Sequence, residues 1–138
     1  MIIEFDKFQG AGNDFVILDN RLEQYNSLSS TQIAFLCYRH KGIGADGLIC
    51  INNNQNADFE MQYFNSDGNE STLCGNGGRC AVAFAFEKKI IGKTTFFSAV
   101  DGLHRASYVN TKEVHLEMKN VSDFKEFAGA VITDTGST

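Results

Sequence analysis

Cys74-Gly75-Asn76-Gly77-Gly78-Arg79-Cys80-Ala81-Val82-Ala83-Phe84-Ala85-Phe86 is the stretch on which the fold of this 138-residue chain turns. From Cys80 to Phe86 every residue is apolar, and the alanines favour helix over strand. A helix that is apolar all round has no face for water, so protein has to surround it. Its expected span reaches about Ile91, with Lys88 and Lys89 in the last turn, where cations suit the helix dipole, and Gly92 as the stop. The rest of the chain supplies the surround. Residues 2–8, 15–18, 48–51, 58–64, 94–100, 103–109 and 114–118 read as strands separated by glycine and asparagine turns. The outcome expected is an α+β domain whose strands wrap one buried helix.

Local signals set the boundaries. In 2–8, Ile3 and Phe5 share one face and Glu4 and Asp6 the other. Gly10 to Asp14 forms a tight turn. Ser29-Ser30-Thr31-Gln32 has the form of a capping box, opening a helix over 30–39 that buries Ile33, Leu36 and Cys37. Gly42 stands just past its end, where a left-handed residue is expected. Phe59, Met61 and Tyr63 face one way and Glu60 and Gln62 the other. Asn65 to Asn69 is a turn, and Asp101-Gly102 marks a two-residue hairpin turn. After Val121 the pattern fades.

Composition excludes several classes. A formal net charge of −5 argues against a nucleic-acid binder living on phosphate contacts. No apolar run approaches the roughly 18 residues of a membrane span. The first residues lack a basic segment followed by an apolar one, so no secretory signal is read. Four cysteines without a Cys-x-x-Cys pair make neither a disulfide scaffold nor a zinc ribbon. Three scattered histidines, His40, His104 and His115, give no metal-ligand spacing. The chain reads as one soluble cytoplasmic domain with reduced thiols and no metal.

Chemistry concentrates at Cys74. The first turn of a helix leaves N–H groups unpaired and partly positive, and a thiol placed there ionises more easily than a free one. Gly75, Gly77 and Gly78 allow a ligand to approach that backbone, and a carboxylate would find the same N–H groups. Cys74 is then a nucleophile or an acid/base beside an anion pocket. The competing reading, a small buried residue before a shaped turn, stays open at this point. Cys37, Cys50 and Cys80 read as packing. Asn13 and Asn65 occupy turns, where asparagine serves the backbone; as ligand contacts they would offer amide donors and acceptors to a zwitterion. Arg79 has Asp67 as a candidate acidic partner. The two glycine-rich loops lack dinucleotide spacing.

Four motifs in register, Phe8-Gln9-Gly10-Ala11-Gly12-Asn13-Asp14-Phe15, Arg39-His40-Lys41-Gly42-Ile43-Gly44-Ala45-Asp46-Gly47, Phe64-Asn65-Ser66-Asp67-Gly68 and Cys74-Gly75-Asn76-Gly77-Gly78-Arg79-Cys80, resemble the amino-terminal half of the diaminopimelate epimerases. The resemblance covers roughly Met1 to Met118. It implies a half-molecule fold: a curled, mostly antiparallel sheet or open barrel around a buried central helix. It implies interconversion of LL- and meso-2,6-diaminopimelate, in lysine and cell-wall precursor synthesis, without pyridoxal phosphate or metal. Two cysteines on opposite sides of the substrate Cα exchange the proton. By motif Cys74 is the catalytic cysteine of this half, and Asn13, Asn65, Gly75 and Asn76 match substrate-binding positions.

Two departures accompany the resemblance. Gly47 stands where relatives commonly carry glutamine. Residues 121–138 read as a linker and the opening of a second half, after an epimerase domain over 1–120; the motifs of that carboxyl-terminal half are absent. The expectation is one half of an enzyme, inactive or nearly so when isolated, with the small amino-acid substrate, the missing half and a homodimer as the partners considered. The alternatives are a non-catalytic binding module and a related isomerase of the phenazine-biosynthesis or proline-racemase type.

Overall fold

The computed structural model describes residues 1–72, 75–110 and 112–117. Two uninterrupted apolar runs organise it. Strand β2 (Asn13–Asp19) and strand β3 (Gly47–Asn52) pair in parallel, with Phe15 opposite Gly47 and Leu18 opposite Cys50. Their side chains alternate between two cores. Phe15, Ile17, Ile49 and Ile51 enter one, and Val16, Leu18, Leu48 and Cys50 the other. Burial on both faces is what a run without polar alternation encodes.

Strands β1 (Asp6–Gly10), β4 (Phe59–Asn65), β6 (Thr94–Ala99), β7 (Gly102–Asn110) and β8 (Glu113–Leu116) extend the sheet in the order β1-β2-β3-β4-β6-β7-β8, and the short β5 (Glu70–Ser71) pairs with β4. All neighbours are antiparallel except β2–β3 and β4–β6. A parallel pair needs a crossover, and each has a helix in it. Helix α1 (Ser30–Cys37) joins β2 to β3, and α2 (Gly75–Glu87) lies between β4 and β6. The sheet curls into an open half-barrel, and α2 reaches β1 and β2 as well as β7 and β8. Cys80 to Ala85 of α2 are buried without a break. The sheet does more than wrap one helix, since α1 covers the opposite face through Ile33 and Cys37.

Both helices have legible ends. The capping box is formed: Gln32 N–H donates to Ser29 Oγ at 3.1 Å and Ser29 N–H to Gln32 Oε1 at 2.8 Å. Helix α2 stops at Glu87, four residues short of the expected Ile91, so Lys88 and Lys89 form its cap rather than its last turn. Ile90 N–H donates to Ala85 O and Lys89 N–H to Phe86 O, with Lys89 left-handed at φ 64°. This is the Schellman arrangement, with lysine where glycine is cheaper. Lys89→Gly is expected to stabilise the chain by about 0.5–1 kcal/mol in urea unfolding, by removing the left-handed penalty.

Other boundaries differ from expectation for local reasons. Strand β1 begins at Asp6 rather than Ile2, because Glu4 N–H donates to the Tyr25 hydroxyl at 2.9 Å instead of to a neighbouring strand. Helix α1 stops at Cys37 rather than Arg39, with Tyr38 extended. The left-handed residue beyond it is Gly44, at φ 85°, not Gly42. Gly42 is required by space, since a Cβ there would strike the Phe35 carbonyl. The β6–β7 turn residues are Val100-Asp101, with Ala99 paired to Gly102, one residue earlier than Asp101-Gly102. Among the described residues no helix is long and apolar enough to cross a membrane. The 120/121 boundary and residues 121–138 lie outside the described residues.

Candidate functional site at the start of helix α2

The first turn of α2 lies against the sheet. A Cβ on Gly77 would already be in contact with Met61, Ile49 and Phe15, at 3.4 to 3.6 Å. At the same sheet end, Ala11 (φ 52°) and Gly12 (φ 90°) make a two-residue hairpin turn with both residues left-handed, which suits the strand twist. The turn delivers Asn13 to α2: Asn76 Nδ2 donates to Asn13 Oδ1 at 2.8 Å, across 63 residues of sequence. Gly10 presses on the helix too, its missing Cβ 3.2 Å from Cys80 Sγ.

Asn13 is held from the other side. Its Nδ2 donates to Asp46 Oδ2 at 3.2 Å. Asp14 N–H donates to Asp46 Oδ2 at 3.1 Å, and Asp46 N–H donates to Asp14 Oδ1 at 3.0 Å. Arg39 clamps both carboxylates, through Nη1 and Nη2 to Asp14 at 3.1 and 2.8 Å and through Nη2 to Asp46 at 3.0 Å. Lys7 Nζ stands 3.1 Å from Asp14. The Arg39 hydrogen bonds outweigh partial burial and, with Lys7, hold the Asp14 carboxyl well below the usual carboxylate range. An acid whose folded pKa is depressed stabilises the fold above its unfolded pKa, near 3.8, and loses that contribution as pH falls through the folded value. Asp14→Asn is therefore expected to flatten the acid side of the stability–pH profile below about pH 4, in chemical denaturation at stepped pH.

Gly75 is buried and opens α2. Asn65 ends β4 opposite Gly47, which is itself opposite Phe15, so Asn65 lies at the Asn13 end of the sheet. Its main chain closes the 65–69 turn, accepting from Gly68 N–H and donating to Asn69 O, both at 2.9 Å. Among the described residues its side-chain amide has no protein partner, and it does not reach the Asn13–Asn76 pair. Cys74 lies outside the described residues. Arg79 does not pair with Asp67; its Nη1 donates to Gly75 O, one turn back, at 3.3 Å. A depression of about 230 Å³ lined by Gly10, Ala11, Asn76 and Arg79 adjoins the amide pair on one side. A wider one of about 580 Å³, lined by Arg39, Asp46, Tyr38 and Ser66, lies beyond Asp46.

Sequence reading missed the Arg39–Asp14–Asp46 clamp. The glycine-rich loop around Asp46 was the available signal, but no periodicity says which cation a loop carboxylate will meet. It also missed Tyr63. A Cβ on Gly47 would sit 2.7 Å from the Tyr63 ring and 2.9 Å from its hydroxyl, so tyrosine fills the space where a glutamine at 47 would start.

The two thiols behind the site are inert by environment. Burial pushes Cys37 up to about 11 and Cys50 up to about 12. Alkylation follows the thiolate. Mass mapping of the native chain treated with iodoacetamide at neutral pH is expected to find Cys74 labelled first, with Cys37 and Cys50 labelled only after urea. Early labelling of either buried thiol would contradict the helix-start argument.

Comparison with known proteins agrees with the motifs. Residues 5–122 match the family model for diaminopimelate epimerase. A diaminopimelate epimerase of Flavobacterium psychrophilum is 50% identical over 95% of this chain and 51% of its own length. One from Chlorobaculum tepidum is 45% identical over 93% of this chain and 52% of its own length. The chain thus spans about half the length of the curated relatives it matches. Among solved structures, a methylitaconate-delta-isomerase aligns at a TM-score of 0.63 and 16% identity, covering 81% of this chain and 36% of its own. A Bacillus anthracis phenazine biosynthesis protein of the PhzF family aligns at 0.56 and 20% identity, covering 81% and 37%. At those identities the solved structures speak for the fold alone, whereas the half-length match to the curated enzymes is close enough that this chain belongs to the diaminopimelate epimerase family.

Proposed function

We propose that this chain forms one half of a cofactor-independent epimerase site that interconverts LL- and meso-2,6-diaminopimelate, in the cytoplasmic synthesis of lysine and peptidoglycan precursors. Cys74 is the acid/base of this half, Asn13, Asn65, Gly75 and Asn76 bind the substrate, and a carboxyl-terminal half supplies the second cysteine. The observation that carries the reading is the 2.8 Å hydrogen bond from Asn76 Nδ2 to Asn13 Oδ1 at the start of α2. It supports the reading because two side-chain amides, groups suited to a zwitterion, then stand beside the helix start that follows Cys74 in the sequence.

An amino-acid α-proton is weakly acidic, and no cofactor delocalises the carbanion in this scheme. The developing charge is therefore met by fixed dipoles in a cleft closed to water. The α2 N-terminus, aimed at the substrate carboxylate, does that and also lowers the thiol pKa. A thiolate on one side of Cα and a thiol on the other convert proton removal into inversion. Two halves closing on one substrate supply both.

The test is deuterium incorporation. The 138-residue chain, alone and mixed with the carboxyl-terminal half of a full-length relative, is incubated with LL-diaminopimelate in D2O. The mixture is expected to place deuterium at Cα and to generate the meso isomer, while L-lysine stays unlabelled. No labelling in either sample would overturn the reading, and equal labelling of lysine would overturn the substrate assignment.

A further inference from the structure

We propose that Asp46 is a positioning residue that sets the amide polarity of Asn13 and, through it, of Asn76, so that Asn76 turns its side-chain oxygen toward the donor groups of a ligand. A carboxylate accepts hydrogen bonds and never donates them. Asp46 is anchored at both oxygens: Oδ1 takes Arg39 Nη2 at 3.0 Å and Oδ2 takes Asp14 N–H at 3.1 Å. Its Oδ2 therefore receives the nitrogen edge of Asn13, at 3.2 Å. With that edge committed, Asn13 Oδ1 faces α2 and accepts from Asn76 Nδ2 at 2.8 Å. Asn76 Oδ1 is then the terminal acceptor of the line, and among the described residues nothing donates to it.

An asparagine amide is nearly symmetric in shape, so packing alone sets its orientation poorly. A charged, fixed acceptor two residues away in the relay breaks that symmetry. The group left at the end is an oxygen that can accept from an ammonium, together with one N–H of each amide that can donate to a carboxylate, a set matched to a zwitterion. The choice of ligand rests on the reading above; the relay does not.

The experiment separates the two. Side-chain amide resonances of the ¹⁵N-labelled chain are compared in wild type, Asp46→Asn and Asp46→Glu, with the Asn76 pair identified by its loss in Asn76→Asp. In Asp46→Asn the new amide can donate as well as accept, so the polarity of the relay is no longer imposed. The Asn76 amide, which Asp46 does not touch, is expected to exchange its hydrogens about fivefold faster, with Asp46→Glu restoring part of the protection. Unchanged Asn76 exchange in a folded Asp46→Asn chain would overturn the proposal. If that variant does not fold, Asp46→Ser, which likewise replaces the obligate acceptor with a group that can donate, serves instead, and an unchanged Asn76 amide there would overturn it equally. Titration with diaminopimelate is the second arm. A loss of affinity of about tenfold in Asp46→Asn supports the proposal, and equal affinity overturns its ligand half. Wild-type chain that binds no diaminopimelate, alone or with a carboxyl-terminal half, would count against the functional reading, while amide exchange still decides the relay.

Discussion

Cys74→Ala is expected to abolish epimerisation in both directions, with a rate loss of roughly 10³-fold or more when the chain is complemented by a carboxyl-terminal half. Inversion needs one group to remove the α-proton and another to return a proton from the opposite side. Removing one of the pair stops the full reaction whichever isomer is offered. The two isomers should nevertheless respond unequally in D2O. The remaining thiol still faces one configuration of Cα, so partial wash-out of the α-proton is expected from one isomer and none from the other. NMR of recovered diaminopimelate reads both quantities. Epimerisation at the wild-type rate in Cys74→Ala would remove this cysteine from the mechanism and return it to the packing role that its residue type also suggests.

Phe84→Ala carries the largest expected cost in stability, about 3–5 kcal/mol. Phe84 is 1% exposed, on the side of α2 that enters the core with Phe15, Ile49 and Met61. It meets Phe8 edge-on, with ring centroids 6.0 Å apart, and Lys88 Nζ lies 5.7 Å above its ring. Its neighbours sit on paired strands that cannot collapse into the space left behind, which puts the substitution among the costlier large-to-small changes. Urea unfolding should show the midpoint fall with little change in slope. Phe96→Ala is the control: that ring is half exposed and rests against Arg105, and its loss should cost under about 1 kcal/mol. Similar losses for the two would mean that the α2 core does not dominate stability.

Much of this architecture is legible in the sequence because single segments encode it. The apolar run from Cys80 announces a helix that cannot face water, and that part of α2 is buried. The Ser29–Gln32 box caps α1 as its spacing requires. Signals involving two distant segments are harder to read. That α1 and α2 take opposite faces of the sheet follows from two parallel pairings, and nothing in 15–18 or 48–51 says they will pair in parallel. The left-handed position after α1 falls on Gly44 because the chain returns to the Leu36 and Cys37 carbonyls first, a detail of loop closure rather than of composition. At the site, the family resemblance implied Asn13, Asn65, Gly75 and Asn76, and the fold puts Asn13 in direct contact with Asn76, with Asn65 at the same sheet end. The pairing of Arg39 with Asp14 and Asp46 was not legible, because the sequence does not say which cation a loop carboxylate meets until the loop is closed.

The two parallel pairings also bear on how the chain folds. A sheet of successive hairpins can grow strand by strand from local contacts. This one is not built of successive hairpins throughout, because the β2–β3 pair spans the crossover that holds α1 and the β4–β6 pair the crossover that holds α2. Each crossover spends loop-closure entropy before any ladder hydrogen bond repays it, which slows folding relative to a meander of equal length. Because α2 also reaches strands near both margins of the sheet, it ties the β1–β2 hairpin to strands β7 and β8. The helix that opens the candidate site is thus also the element that links the first hairpin of the unit to its last strands.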